Sequence, residues 1–241
     1  MIKIKNLSCS FDEKNILKNI NLNIPSHLNI LGANGSGKST LAKCLTNLCN
    51  YSGEVFIDDA NIKNISLKDL AKTLAYIPTK LDLYDEFISV QDFILLSRYA
   101  HKKSFLDYAK EDLEIVNDAI KTLNIEHLAS HSVSSLSSGE QQLSLIACAL
   151  ASKSKIIIFD EPTANLDPKN SKIIAKHIKA LKDTLSIILI THDLQLAFFI
   201  NSPTLFIKNT EATLYENEFY DAKNLEALYE VSFNDLAVKY E

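Results

Sequence analysis

The chain is short of glycine and of long apolar runs, and each shortage excludes a class of protein. It has five glycines in 241 residues, so glycine is kept for positions where the backbone approaches a ligand or adopts a positive φ. No apolar run approaches the roughly 18 residues that a membrane-spanning helix needs. Residues 1–5 alternate as a strand does and lack the pattern of a signal peptide, so we expect a protein that is made and kept in the cytosol.

Basic charge and paired cysteine motifs are also missing. A net charge of −5 argues against a nucleic-acid partner, because such proteins carry a dominant basic face. Cys9, Cys44, Cys49 and Cys148 show no C-x-x-C spacing, so we interpret them as reduced thiols in or near the core, with little support for a zinc site. With 46% hydrophobic residues, the chain can bury one α/β core with a small appended lobe.

Three of the five glycines fall in one hexapeptide, which Lys38, Ser39 and Thr40 follow directly. The stretch fits G-x-x-x-x-G-K-[ST], a loop whose backbone N–H groups cradle phosphates. An apolar strand over 27–31 leads into it, and leucines at 41, 45 and 48 predict a helix after it. The alternative is an ordinary turn that caps a helix. The predicted phosphate-binding residues are Gly32, Asn34, Gly35, Ser36, Gly37, Lys38, Ser39 and Thr40.

The remaining pattern predicts an α/β fold, namely a P-loop NTPase core with a mixed or parallel sheet. Residues 1–31 read as antiparallel strands, and apolar strands follow at 75–77, 155–159 and 187–190. A stripe of Leu113, Val116, Ile120 and Leu123 indicates a helix. We expect a single domain over 1–241, with a core at 1–81 and 151–241 and an inserted helical subdomain at 82–150. Beyond residue 201 we expect a short strand, a hairpin and a terminal helix.

Two adjacent acids end the apolar strand at 155–159. Asp160 stands at the carboxyl edge of the predicted sheet, where such folds hold ligands, and with the hydroxyl of Ser39 it could bind Mg²⁺. Glu161 adds a second carboxylate there; the alternative is a solvated turn. Arg98 is the one arginine, so an arginine finger is nearly unavailable and Lys38, metal and backbone N–H groups must meet transition-state charge.

With these motifs the chain resembles the nucleotide-binding subunits of ATP-binding cassette (ABC) transporters over nearly its whole length. The resemblance rests on the loop from Gly32 to Ser39, Leu136-Ser137-Ser138-Gly139-Glu140, Asp160-Glu161, Asn165-Leu166-Asp167, His192 and Phe11. It implies an ATPase that uses ATP and Mg²⁺. By the resemblance Phe11 stacks on adenine, Glu161 orients or deprotonates the attacking water, and His192 contacts the γ-phosphate and keeps Glu161 productive.

The resemblance also implies that ATP is shared between two copies of the chain. Ser137 and Gly139 would meet the γ-phosphate held by the other copy, and Asp167 would belong to the same nucleotide site. Two departures put interface strength and turnover in question: Thr79 stands where the family usually has glutamine, and Ser138 and Glu140 replace a usual glycine and glutamine.

Residues 94–101 resemble the G-R-Y-P-H run of ATPases that serve iron-siderophore, haem and cobalamin importers, with Ser97 and Ala100 deviating. We expect this segment to contact a permease. The resemblance implies a homodimer on two integral-membrane permeases at the cytoplasmic face of the inner membrane, with an extracytoplasmic binding protein acting indirectly. The alternatives are a non-transport ATPase that acts on ribosomes or DNA, and an exporter or importer subunit for another substrate.

Overall fold

The computed structural model describes residues 1–12, 14–81, 87–102, 107–216, 219–230 and 240. The strands in this part of the chain are β1 (Ile2–Phe11), β2 (Lys14–Ile24), β3 (His27–Leu31), β4 (Ser52–Ile57), β5 (Ala60–Asn61), β6 (Leu74–Ile77), β7 (Ile156–Asp160), β8 (Ser186–Ile190), β9 (Thr204–Lys208) and β10 (Glu211–Tyr215). The helices are α1 (Lys38–Leu45), α2 (Leu67–Ala71), α3 (Val90–Leu96), α4 (Lys110–Thr122), α5 (Ser138–Ala151), α6 (Pro168–Leu181), α7 (Leu194–Ile200) and α8 (Ala222–Tyr229).

The strands form two sheets with different topology. A four-stranded sheet has the order β2-β1-β4-β5, and its strands pair antiparallel. The main sheet has the order β10-β9-β3-β8-β7-β6 and is parallel except for the β9–β10 hairpin. The predicted mixed α/β fold with N-terminal antiparallel strands is therefore confirmed. The sequence prediction was wrong for β3, which lies parallel between β8 and β9.

The central strands are buried on both faces, because two apolar cores flank the main sheet. Ile156 and Ile158 of β7 pack in the core shared with α1 and the antiparallel sheet. Ile157 and Phe159 pack in the core formed with α3–α7. This explains the continuous apolar run of β7, since a strand covered on both faces has no polar side.

Helix ends follow the capping signals in the sequence. Ser66, Ser89 and Asp167 accept hydrogen bonds from backbone N–H groups in the first turns of α2, α3 and α6. Leu113 lies on α4 as its spacing predicted, although its side chain is 40% exposed. Leu48 was wrongly included in the helix after the loop: α1 ends at Leu45, and Leu48 is 60% exposed.

The region between β6 and β7 contains α3, α4 and α5. The predicted subdomain boundary at residue 82 falls outside the described residues, and the division of the chain into two parts stays a prediction. The C-terminal hairpin and α8 are present as predicted. Among the described residues, no helix combines the length and apolar character that crossing a bilayer requires.

Candidate functional site

Three neighbouring strands of the main sheet end at one edge and bring the predicted site residues there. β3 ends in the phosphate-binding loop, β7 ends at Asp160, and β8 is followed by Thr191 and His192. β8 pairs with both β3 and β7, so the three carboxyl ends are adjacent. Parallel sheets hold ligands at this edge.

The loop backbone has the conformation that only glycine allows at its first position. Gly32 has φ +150, and a Cβ there would stand 2.5 Å from the Ile207 carbonyl oxygen and 2.7 Å from Ser36 Oγ. At the other end of the loop α1 begins at Lys38 with no side-chain cap. Its first N–H groups are therefore left for a ligand, and the positive end of the helix dipole favours an anion.

The side chains of Lys38 and Ser36 have unused hydrogen-bonding capacity. Lys38 bonds to uncharged carbonyl oxygens, and Ser36 lacks a hydrogen-bond partner among the described residues. Lys38 is 6% exposed, and its Nζ donates to the Gly32 and Ala33 carbonyl oxygens at 2.9 and 3.1 Å. Burial lowers the pKa of Lys38, and the charges of Glu161 and Asp160 oppose that effect. Ser36 Oγ is buried without a hydrogen-bond partner in the described part of the chain. An oxyanion in the loop would satisfy both groups.

Asp160 lies between two hydroxyl groups. Ser39 Oγ donates to its Oδ1 at 3.1 Å, and the Tyr76 hydroxyl donates to its Oδ2 at 2.8 Å. Asp160 is 2% exposed, so the hydroxyls solvate a carboxylate that is largely withdrawn from water. Carboxylate and hydroxyl oxygens are the hard ligands that Mg²⁺ prefers. The residues present therefore fit the predicted Mg²⁺ site, with Ser39 and Asp160 as its protein ligands.

Tyr76 was not assigned a role from the sequence. It lies on β6, 84 residues before Asp160, and only the pairing of β6 with β7 brings the two together. Burial first, and then the charge of Asp160, raise the pKa of Tyr76, so its hydroxyl keeps its proton and acts as a donor. The aromatic-x-Pro run was visible in the sequence, but it carried no signal for this contact.

Glu161 and His192 are in contact at this edge of the sheet, and their predicted catalytic roles stay predictions. Glu161 Oε2 is 2.8 Å from His192 Nδ1 and also accepts from the His192 N–H and from Thr191 Oγ1, each at 3.3 Å. Glu161 has φ +51, a conformation that costs a residue with a side chain about 1 kcal/mol or more. Its own N–H donates to the Ile190 carbonyl oxygen at 2.8 Å. The carboxylate is thus held in one orientation by backbone and side-chain contacts.

Asp167 caps α6. Its Oδ1 accepts from the N–H groups of Lys169 and Asn170 at 2.9 and 3.1 Å. The bond from the Asn170 N–H is the largest cause of its lowered pKa. The carboxylate is therefore engaged locally, and the predicted contact with nucleotide stays a prediction.

Residues 136–140, which we call the signature segment, lead into α5 and form its N-terminus. Ser137 caps this helix in a reciprocal box with Glu140, whose Oε2 accepts from the Ser137 N–H at 2.8 Å and the Ser137 hydroxyl at 2.6 Å. A Cβ on Gly139 would stand 2.8 Å from the Asn170 side chain, so glycine lets α5 approach α6. Among the described residues, no hydrogen bond joins Ser137 to the phosphate-binding loop of its own chain.

A cavity of about 490 Å³ adjoins the phosphate-binding loop. It is lined by the start of β2, by Ala33 to Ser36, by the β9–β10 turn and by Tyr229. Phe11 stands at the end of β1 and is 50% exposed, which leaves its ring free to stack. It is absent from the described lining of this cavity, so its adenine contact stays a prediction.

Arg98 and Thr79 differ in exposure: the arginine is buried and the threonine lies at the surface. Arg98 is 5% exposed, and its side chain donates to Asp112 Oδ1 and to the Ala151 carbonyl oxygen, each at 2.8 Å. Of segment 94–101, Leu96 and Tyr99 reach the surface and the arginine does not. Arg98 is thus unavailable both as an arginine finger and for direct contact with a permease. Thr79 is exposed after β6.

Comparison with known proteins agrees with this site. A family model described as ABC transporter matches residues 17–164. A protein of Helicobacter pylori named as an iron chelatin transport ATP-binding protein is 31% identical over 238 residues, which is 95% of this chain and 93% of that protein.

Solved structures give the same result. A transporter described as of metal-chelate type, in an inward-facing conformation, superposes with a TM-score of 0.83 at 27% identity and covers 96% of this chain and 89% of its own. A dimeric ATP-binding cassette in a post-hydrolysis state with ADP and phosphate superposes with a TM-score of 0.77 at 28% identity, covering 90% of this chain and 98% of its own. The chain therefore belongs to the ABC transporter family, and it is an ATP-binding, ATP-hydrolysing cassette of that family.

Proposed function

We propose that this chain is the ATPase subunit of an importer that takes up a metal chelate, of the iron-siderophore or haem type. The observation that carries the proposal is the Glu161 carboxylate, which His192 holds at the same sheet edge as Asp160 and Lys38. A carboxylate fixed beside a phosphate-binding loop can orient and deprotonate water for attack on the γ-phosphate.

In the proposed mechanism the loop residues first bind the triphosphate. Lys38 gives up its bonds to the two loop carbonyl oxygens and turns its ammonium group to the phosphate oxygens. The N–H groups at the start of α1 and the unpaired Ser36 hydroxyl complete the cradle. Ser39 and Asp160 would hold Mg²⁺, which would supply positive charge to stabilise the transferred phosphoryl group.

Glu161 then takes the proton of the attacking water. His192 keeps the Glu161 carboxylate in place through the 2.8 Å contact, and its exposed side of the ring remains available to the γ-phosphate. Phe11 stacks on adenine, and Asp167 supports the site from the start of α6. Each of these roles is part of the proposal and can be tested by mutation of the residue concerned.

The remaining contacts to the γ-phosphate come from a second copy of the chain. Ser137 is exposed and Gly139 lies in the first turn of α5, so a hydroxyl and free N–H groups stand at a positive helix end. A two-fold pair that buries ATP twice would use the same surface on both copies. The dimeric structural relative with ADP and phosphate supports this arrangement.

A groove beside the C-terminal half of α5 supports permease docking. It has a volume of about 480 Å³ and lies between α2, β6 and the segment that follows α3. Leu67, Leu96 and Tyr99 line it and are 64, 53 and 63% exposed, which is unusual for apolar side chains of this size. Two permeases, one in the groove of each copy, would hold the pair of chains at the cytoplasmic face of the membrane. A binding protein would deliver cargo from outside.

The cargo is inferred from names alone, since cargo never enters this chain. The iron chelatin relative and the metal-chelate type transporter support a metal chelate. The test is ATP hydrolysis by the chain reconstituted with its permeases and binding protein. We expect ferric siderophore or haem to stimulate hydrolysis, and stimulation by free metal ion alone would contradict the cargo assignment.

The docking groove is tested separately. Leu96→Glu should abolish co-purification with the permeases while the isolated subunit still binds ATP. Leu48→Glu is the matched control, because Leu48 is 60% exposed and lies outside the groove. Co-purification of the chain with ribosomes or DNA instead of a membrane protein would favour the non-transport alternative.

A further inference from the structure

Three cysteines from separate parts of the chain meet at the C-terminal end of α1, the helix that follows the phosphate-binding loop. Cys9 lies on β1, Cys44 on α1 and Cys49 in the segment that leads to β4. Their Sγ atoms all lie within 4.8 Å of one another, and those of Cys44 and Cys49 are 3.4 Å apart. Cys9 and Cys44 are buried and Cys49 is half-buried, so the cluster is reachable from the side of Cys49. We call these residues the cysteine triad.

The spacing of the sulfur atoms suits a metal ion. Zn–S bonds of about 2.3 Å in tetrahedral geometry separate sulfurs by roughly 3.8 Å. The separations in the triad, from 3.4 Å to no more than 4.8 Å, reach that value with shifts of about 1 Å or less. We propose that the cysteine triad binds Zn²⁺ through three thiolates.

A second observation points to a ligand at the same place. The Tyr51 hydroxyl is buried and has no hydrogen-bond partner among the described residues. Tyr51 follows Cys49 by two residues and packs, as Cys49 does, against the apolar cluster that contains Cys9 and Cys44. An unpaired buried donor is costly, and a nearby thiolate on a metal would give it an acceptor of the kind found around metal ligands.

Charge favours Zn²⁺ over other thiophilic ions. Three thiolates leave a net charge of −1 with Zn²⁺ and −2 with Cu⁺, and buried net charge is costly. Lys63 supplies a nearby positive charge, with its Nζ 4.2 Å from the centroid of the Tyr51 ring. The Asn50 carbonyl oxygen, 3.4 Å from Cys9 Sγ, offers a neutral fourth ligand.

The cysteine triad is separate from the oxygen site at Ser39 and Asp160. Sulfur ligands select Zn²⁺ or Cu⁺, whereas carboxylate and hydroxyl oxygens select Mg²⁺. Zn²⁺ on the triad would tie the last turn of α1 to β1, the strand that ends at Phe11. It would therefore stabilise the base of the nucleotide site without contacting nucleotide.

The experiment uses the full chain, kept reduced and in excess Mg²⁺, freed of metal by a chelator and then titrated with Zn²⁺. We expect about one Zn²⁺ per parental chain by elemental analysis and a higher melting temperature with Zn²⁺. Cys49→Ala should weaken binding more than tenfold. Cys148→Ala is the matched control, because Cys148 is also half-buried but lies outside the triad. With Co²⁺ as a probe, the parent and the control should show thiolate-to-cobalt charge-transfer absorption that Cys49→Ala lacks.

Three outcomes would overturn the proposal. The first is a folded parental chain that binds no Zn²⁺. The second is Zn²⁺ binding by Cys49→Ala with parental affinity. The third is tight binding of Cu⁺ without any of Zn²⁺, which would reject the charge argument. Cys49 is chosen for substitution because a half-buried position tolerates loss of a sulfur better than the buried Cys44, and circular dichroism would verify that the variant is folded.

Discussion

The phosphate-binding half and the signature half of the proposed ATP site are constructed differently. In the first, Ser39, Tyr76 and Asp160 come from three separate elements, and their contacts span 84 and 121 residues of sequence. In the second, Ser137 and Glu140 bond to each other three residues apart. One half is assembled by the sheet, whereas the other is a locally capped helix end. The first therefore depends on the whole fold, and the second depends on its own turn and on the helices that carry it.

Removal of the Glu161 charge should have the largest effect on the assembled half. Glu161→Gln should slow ATP hydrolysis by roughly 10² to 10⁴, because a positioned base contributes about that much, and should leave ATP binding intact. Steady-state phosphate release and nucleotide binding by fluorescence would measure the two effects. Glu111→Gln on α4 is the matched control, because Glu111 is exposed and is absent from the lining of the cavity that adjoins the loop. Parental hydrolysis by Glu161→Gln would show that another group activates the water.

Loss of the Arg98–Asp112 ion pair should destabilise the packing of α3, α4 and α5, the helices that carry the signature segment. The pair joins Arg98 to α4 at 2.8 Å with side chains 6 and 8% exposed. Arg98→Ala should cost about 3–5 kcal/mol in unfolding free energy, because it leaves a buried carboxylate unpaired. Denaturant titration would measure it. Lys110→Ala, which removes an exposed pair, should change stability by less than about 0.5 kcal/mol.

This ion pair should also give a characteristic dependence on pH. Burial raises the pKa of Asp112, but the bonds from Arg98 and from the Ala109 N–H outweigh burial and lower it. A carboxyl with a lowered folded-state pKa stabilises the fold above its unfolded pKa, and the contribution is lost as pH falls through the folded value. The difference between the parent and Arg98→Ala should therefore be largest near neutral pH and shrink in acid. A difference that is constant with pH would assign the loss to packing alone.

Tyr76→Phe should weaken the metal site by a smaller factor. It removes one of the two hydroxyls on Asp160 and leaves the carboxylate less firmly oriented. We expect the Mg²⁺ concentration for half-maximal hydrolysis to rise about tenfold, which is the low end for loss of an outer-shell partner. Tyr99→Phe is the control, because Tyr99 is 63% exposed and lines the groove. An unchanged Mg²⁺ requirement would make Tyr76 a packing residue.

Glu140→Gln should produce the smallest effect, and in the opposite direction. The Ser137 hydroxyl and N–H bonds lower the pKa of Glu140, so the carboxylate stays charged where a partner's γ-phosphate is proposed to dock. Glutamine can keep the capping box and removes about 0.5 kcal/mol of repulsion at each of the dimer's two sites, for charges roughly 8 Å apart in water. ATP-dependent dimerisation of the Glu161→Gln background should strengthen about fivefold by sedimentation equilibrium, with Glu114→Gln on α4 as control. Weaker dimerisation would mean that the charge supports the interface.

Local patterns in the sequence predicted the parts of the molecule that local forces produce. The glycine loop and the apolar strand before Asp160 are read within a few residues, because positive φ and two-sided burial each act over that range. The same reading extended the helix after the loop to Leu48, since leucines at helical spacing do not show where the helix ends.

The sequence by itself determined the family and the succession of strand, glycine-containing loop and helix at residues 27–45. Only the tertiary structure decided that Tyr76 donates to Asp160, that Arg98 is buried against Asp112, and that three cysteines without a spacing motif form a triad. These contacts depend on which strands are neighbours and which helix lies beneath them. That order results from burial of two cores across the whole sheet, and no window of sequence contains it.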